Sequence, residues 1–125
     1  MNVKELLAAA NAVVPKISPD EARRLVAEKN ALVVDVRDGT EVQASGKVKG
    51  AVNVSRGMLD FRADPDSPYH DKAFSKDRPV ILYCASGGRS ALATETLQQL
   101  GYTKVAHLDG GLKAWTAAGM PVEMS

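Results

Sequence analysis

The sequence has one cysteine, Cys84, and two histidines, His70 and His107, in 125 residues. A lone cysteine excludes an intrachain disulfide, and no cysteine cluster is available to build a zinc site. The two histidines lie far apart in the chain, so neither a metal nor another cofactor is expected. There is no excess of either charge. The formal net charge is +1, and lysines and arginines are spread along the chain. Nothing global therefore points to nucleic acid or an anionic membrane. The longest basic pair, Arg23-Arg24, sits among acids and reads as a solvated helix face. No apolar run is long enough to span a bilayer. Internal repeats and low-complexity tracts are also missing. Residues 6–14 are apolar enough to mimic a short signal core, but Glu5 flanks the run, Asn11 interrupts it, and no cleavage site precedes Pro15. Leu6, Ala10, Val13 and Val14 share one helical face, so the expectation is an amphipathic helix over 3–14 rather than a targeting segment. The expected organisation is a single domain over 1–125 with its core from about 18 onward, in a reducing cytoplasm.

What is present is an alternation of strand and helix signals. Ser18-Pro19-Asp20-Glu21 is a helix start: a capping serine, proline in the first turn and a glutamate that can reach back. Asn30 is the stop. Leu32-Val33-Val34-Asp35-Val36, Pro79-Val80-Ile81-Leu82-Tyr83 and Val105-Ala106-His107-Leu108 are continuous apolar runs, and Ala51-Val52-Asn53-Val54 is a weaker one. Such runs suit strands buried on both faces. Helical stretches at 40–45, 89–100 and 112–118 separate or follow them. The alternation predicts a parallel sheet in a layered α/β domain. Residues 62–77 are the one long irregular stretch.

The cysteine stands where this pattern matters most. Cys84 ends a predicted buried strand, and Ala85-Ser86-Gly87-Gly88 leads into a helix near Arg89. In parallel α/β sheets, ligands bind beyond the carboxyl ends of strands. The two glycines allow a tight turn that points several N–H groups inward, and the helix start adds positive potential. Arg89 supplies a fixed charge and a two-pronged donor, unless it pairs with an acid such as Glu95. The same field favours thiolate over thiol. A buried structural cysteine is the competing reading, but a core cysteine does not require Gly-Gly-Arg-Ser after a strand.

These residues resemble a known family, the single-domain rhodaneses. Four segments carry the resemblance: Asp35-Val36-Arg37 with Glu41; Gly46-Lys47-Val48-Lys49-Gly50-Ala51-Val52-Asn53; Cys84-Ala85-Ser86-Gly87-Gly88-Arg89-Ser90; and Asp109-Gly110-Gly111 with Trp115. They occur in family order from about 18 to the C-terminus. Lys47 stands where histidine is usual and Ser55 where proline is common, and 56–74 is longer than a minimal member requires. The resemblance implies a three-layer α/β/α domain with a central parallel sheet of about five strands. It implies a thiosulfate sulfurtransferase activity, in which Cys84 carries a persulfide. Residues Ala85, Ser86, Gly87, Gly88, Arg89 and Ser90 would then form the substrate loop. The implied partners are a small anionic sulfur donor and a thiol or protein acceptor, with no nucleic acid or membrane.

Two other functional classes compete. A cysteine phosphatase or oxyanion reductase would use a similar anion cradle. However, phosphatase signatures place five residues between cysteine and arginine, whereas four intervene here. A non-catalytic persulfide carrier or interaction module would use the same loop. Among the smaller constellations, Asp35, Arg37 and Glu41 are expected to form a supporting ion-pair network. Asp109 is expected to cap the helix near Gly110, and Trp115 to pack in the core. His107 reads as a satisfied structural histidine. Ser90 is either a donor to the sulfur or a helix cap. Phe61, Arg62, Tyr69 and His70 are either one wall of the entrance or a packed surface loop.

Overall fold

The computed structural model describes residues 1–124. Its frame is a five-stranded parallel sheet in the order β1-β6-β5-β2-β4. The strands are β1 (Lys16–Ile17), β2 (Leu32–Asp35), β4 (Val52–Asn53), β5 (Val80–Tyr83) and β6 (Val105–Leu108). A small antiparallel pair, β3 (Lys47–Val48) and β7 (Val122–Glu123), lies apart from it. The three long apolar runs therefore become its central strands, because each must be covered on both faces. β1 and β7 had no signal in the sequence. Two residues are too few to show a period, and their pairing partners fix them.

The alternation of side chains sorts the core into two layers. Val34, Val80, Leu82 and Val105 pack with Leu59, Ala63, Ala93 and Leu97 on one face. These residues place α4 (Leu59–Ala63) and α5 (Gly88–Gln99) there. Ile81, Tyr83 and Leu108 pack with Ala22, Leu112 and Trp115 on the other. That face carries α2 (Pro19–Lys29) and α6 (Gly111–Ala117). The result is the expected α/β/α sandwich. The N-terminal helix α1 (Val3–Val13) adds to the first face by packing Ala10 and Val14 on Ala91 of α5.

Helix boundaries follow the local chemistry. Ser18 and Glu21 form a reciprocal capping box at α2, and Asn30 ends that helix in the left-handed conformation at φ 54°. α3 (Gly39–Ser45) begins one residue before the predicted start, with Glu41 reaching back to the Asp38 N–H. The 62–77 stretch is irregular as expected apart from Arg62 and Ala63, which end a helix that begins before it. A three-ten turn at Arg56–Met58 runs into α4, whose Leu59 and Ala63 are fully buried one turn apart. Tyr102 Oη donates to Ala63 O at 2.7 Å and ties this segment to the connection between α5 and β6. It is a packed layer over the α5 face.

Candidate active site

The site begins with the parity of β5. Val80, Leu82 and Cys84 point to the α5 face, so the thiol lies beneath the first turn of α5 and is only 2% exposed. The loop from Ala85 to Gly87 then folds over it. Gly87 adopts φ +123°, outside the range that L side chains favour. This turn brings the Gly87 N–H to 3.1 Å from Cys84 Sγ. Ser90, in the first turn of α5, places its Oγ 3.6 Å from the same sulfur. Burial pushes the Cys84 thiol up. The Ser90 N–H and hydroxyl and the Gly87 and Ser86 N–H groups act in the opposite sense and win, so the thiol sits below its ordinary range.

The loop is held from the other side of the sheet by the start of α6. Leu112 N donates to Cys84 O at 2.9 Å, and Lys113 N donates to Ala85 O at 3.2 Å. That approach requires glycine at 111. A Cβ there would stand 2.5 Å from Cys84 O and 2.7 Å from the Ala85 carbonyl, and φ is +61°. The Asp109-Gly110-Gly111 segment thus supports the cysteine loop through its backbone. Asp109 does not cap α6 as expected. The cap position is Gly110, which lies in the left-handed region and makes no side-chain bond. Trp115 is in the core, with Nε1 donating to Pro121 O.

Arg89 and the Asp35 group are arranged differently from the expectation. Arg89 does not pair with Glu95. Its Nη1 and Nη2 donate to the two Glu41 oxygens at 2.7 and 2.9 Å. Glu41 is drawn down to about 2 by this bond, with help from the Asp38 N–H. The Asp35–Arg37 pair is separate, on the α6 face. Arg37 Nη2 lies 2.7 Å from Asp35 Oδ2, and both side chains are almost wholly buried. Arg37 also donates to Ser45 Oγ and Gly46 O. Glu41 therefore serves Arg89 rather than completing the Arg37 network, because α3 carries it toward the cysteine loop. Asn53 Nδ2 donates to the carbonyls of Asp35 and Arg37 and joins β4 to this group.

Two clefts open past the carboxyl ends of the strands, and the first of them touches the cysteine loop. One, of about 300 Å³, is lined by Ser86, Gly87, Gly88 and His107 on one side and by Leu7, Asn11 and Lys16 from the N-terminal segment on the other. The second, of about 280 Å³, lies past the end of β4 and is lined by Asn53, Ser55, Met58, Arg62 and Asp71. Arg62 thus lines a cleft, while Phe61 and Tyr69 stack edge to face at 6.5 Å as an exposed pair. Ser90 does not cap α5, since the cap position is Gly87. Its hydroxyl reaches Gly87 O at 3.2 Å and His107 Nδ1 at 3.1 Å.

His107 is the residue that sequence reading undervalued. The β5–β6 register sets it beside Leu82, pointing to the Cys84 face. It is 2% exposed, and its Nε2 has no hydrogen-bond partner among the described residues. The available signal was a polar residue in an otherwise apolar, doubly buried strand.

Residues 18–118 match the model of the Rhodanese-like domain. A sulfurtransferase of Allochromatium vinosum is 34% identical over 81% of this chain and 86% of its own length. A tRNA uridine(34) hydroxylase of Corynebacterium aurimucosum is 34% identical over 77% of this chain, which corresponds to only 31% of that longer protein. In structure, the chain is similar to a Rhodopseudomonas palustris protein of unknown function described as a possible tyrosine phosphatase. The TM-score is 0.91 at 39% identity, covering 98% of this chain and 95% of the other. The cysteine loop after β5, the glycines that hold it and four of the five parallel strands lie within the matched segment, and the chain belongs to the rhodanese-like domain family.

Proposed function

We propose that this chain moves a sulfane sulfur through a persulfide on Cys84. The observation that carries the reading is a sulfur enclosed by donors, with the Gly87 N–H at 3.1 Å and the Ser90 hydroxyl at 3.6 Å. An anion there is stabilised whether it is the thiolate or the terminal sulfur of a persulfide. The chain contains no second cysteine that could discharge the persulfide as a disulfide.

In the reaction, the Cys84 thiolate attacks the outer sulfur of thiosulfate. A new sulfur–sulfur bond forms, the old one breaks, and its electron pair leaves on sulfite. An acceptor thiolate, or cyanide in an assay, then attacks the outer sulfur of the persulfide and releases Cys84 as thiolate. Ser86, Gly87 and Gly88 furnish the turn and its N–H groups. Arg89, held by Glu41, offers its charge and remaining N–H groups to the sulfonate end of the donor. The partners are a small anionic sulfur donor and a thiol-bearing acceptor. The similarity to an A. vinosum sulfurtransferase supports this reading.

A second reading, phosphatase chemistry, is favoured by the similarity to the R. palustris protein. The loop length weighs against it: only Ala85, Ser86, Gly87 and Gly88 separate Cys84 from Arg89, a short turn for a phosphoryl group.

Intact-protein mass spectrometry after incubation with thiosulfate, without an acceptor, separates the two. The expected result is a gain of one sulfur atom, reversed by cyanide and absent in Cys84→Ser. No gain with an alkylatable Cys84, together with hydrolysis of a small aryl phosphate, would establish the phosphatase reading instead.

A further inference from the structure

The polar chain that begins at Cys84 does not stop at Ser90. It runs from Cys84 Sγ to Ser90 Oγ at 3.6 Å, and from Ser90 Oγ to His107 Nδ1 at 3.1 Å. Three elements build it: the end of β5, the first turn of α5 and the middle of β6. All three groups are buried, so water does not interrupt them.

The charge state of the ring follows from its surroundings. Burial disfavours the imidazolium and the Lys16 charge on β1 adds to this, against the weaker opposite pull of Asp109 at the end of β6. Lys16, Asp109 and the Cys84–Ser90 pair face His107, and Asn11 of α1 and Ser86 of the cysteine loop line the same cleft. A neutral ring carries one N–H, and two tautomers are available. With the proton on Nε2, a buried donor would lack an acceptor, and Ser90 would have to spend its only proton on Nδ1. With the proton on Nδ1, the ring donates to Ser90 Oγ and leaves the Ser90 proton free. Only a lone pair is then unsatisfied at Nε2. Buried acceptors tolerate this better than buried donors.

We infer that His107 is a positioning residue for Cys84. Its Nδ1–H holds Ser90 Oγ so that the serine hydroxyl donates to the anionic sulfur. While Cys84 is a thiol, its S–H donates to Ser90 Oγ and the serine proton rests on Gly87 O, 3.2 Å away. When the thiol ionises, the hydroxyl turns to the sulfur with no change in the ring. No bond is made or broken in the ring, and no other reactant is involved. The inference builds on the reading of Cys84 as a nucleophile, but its readout is thiolate formation rather than sulfur transfer. A chain that failed to take up sulfur would refute the proposed function and leave this test intact.

The test is the rate of Cys84 alkylation by iodoacetamide against pH, for the wild type, His107→Leu, His107→Asn, Ser90→Ala and the Ser90→Ala/His107→Leu double variant. The wild-type midpoint is expected below that of a free thiol, about 8.5. His107→Leu should raise the midpoint by about one unit, a tenfold slower reaction at pH values below it. Asparagine places an amide N–H where Nδ1–H stands, so His107→Asn should recover most of the shift. Ser90→Ala should shift the midpoint at least as far as His107→Leu, and leucine at 107 should then add nothing. An unchanged midpoint in folded His107→Leu overturns the inference. So does an undiminished effect of leucine in the Ser90→Ala background, because His107 would then act without Ser90. If His107→Leu does not fold, His107→Gln replaces it. Its amide reaches the Nε2 position instead, so a profile identical to that of His107→Asn refutes the assignment.

Discussion

Two buried polar groups sit at the same carboxyl edge of the sheet, on opposite faces, and they are finished to different degrees. On the α6 face, Arg37 is bonded to Asp35, Ser45 and Gly46, and its guanidinium is held further above its ordinary range chiefly by the Asp35 bond. On the α5 face, the chain from Cys84 through Ser90 ends at a His107 nitrogen with no partner among the described residues. The first group is a closed circuit, which fixes geometry and resists change. The second is open, with a sulfur whose donors outnumber its needs as a thiol. Donors in excess around a neutral atom are matched to a charge that appears later, in the thiolate or the persulfide. The difference separates a residue set that holds the fold from one that performs chemistry.

Two substitutions should break this comparison if it is wrong. Cys84→Ala is expected to reduce sulfur uptake by at least about 10³-fold while shifting stability by only about 1 kcal/mol. Arg37→Ala should do the reverse. It strands the Asp35 carboxylate in the core and should cost about 3–5 kcal/mol in denaturant unfolding, yet the folded fraction should still load sulfur. If Cys84→Ala unfolded the protein, or folded Arg37→Ala were inactive, the division of labour between the faces would be lost.

A third substitution probes the joint between them. Gly111→Ala pushes a methyl against the carbonyls of Cys84 and Ala85 from the α6 side. It should cost about 1–3 kcal/mol and lower the sulfur-transfer rate as well, since the loop must move to make room. Retained activity in a destabilised protein would mean that the loop adapts without its α6 support.

The smallest effect belongs to the exposed pair between the faces, Arg89 and Glu41, whose side chains are 38% and 37% accessible. Glu41 titrates near 2 in the folded chain and near 4.3 when unfolded. The folded value is the lower one, so the pair's contribution is complete above the unfolded value and disappears as pH falls toward 2. Solvent screening keeps it under about 1 kcal/mol. Unfolding midpoints of wild type and Glu41→Gln should differ slightly at pH 7 and converge in acid. Arg89→Ala should match Glu41→Gln in stability and additionally raise the KM for thiosulfate, which distinguishes a substrate role from a structural one.

Much of this was legible in the chain. The Ser18 capping box, the Asn30 stop and the three apolar runs gave their elements nearly to the residue, because caps and doubly buried strands are local or compositional signals. The Cys84 loop was legible for the same reason: the glycines and the helix start are adjacent to it in sequence. Pairings across long separations were not. Arg89 bonds a glutamate 48 positions away rather than Glu95 on its own helix, and α4 was hidden in a polar segment whose two buried residues are too few to show a period.

By itself, then, the sequence determined that one thiol would sit at the mouth of a turn rich in N–H groups, at the end of a parallel strand, since strand, turn and helix start are consecutive. Only the tertiary structure decided what surrounds that thiol. The register of β5 against β6 sets His107 beside Leu82 on the cysteine's face. Packing of α5 on the sheet brings Ser90 between His107 and Cys84. A shift of one residue in that register would turn the imidazole to the opposite face, because side chains alternate along a strand.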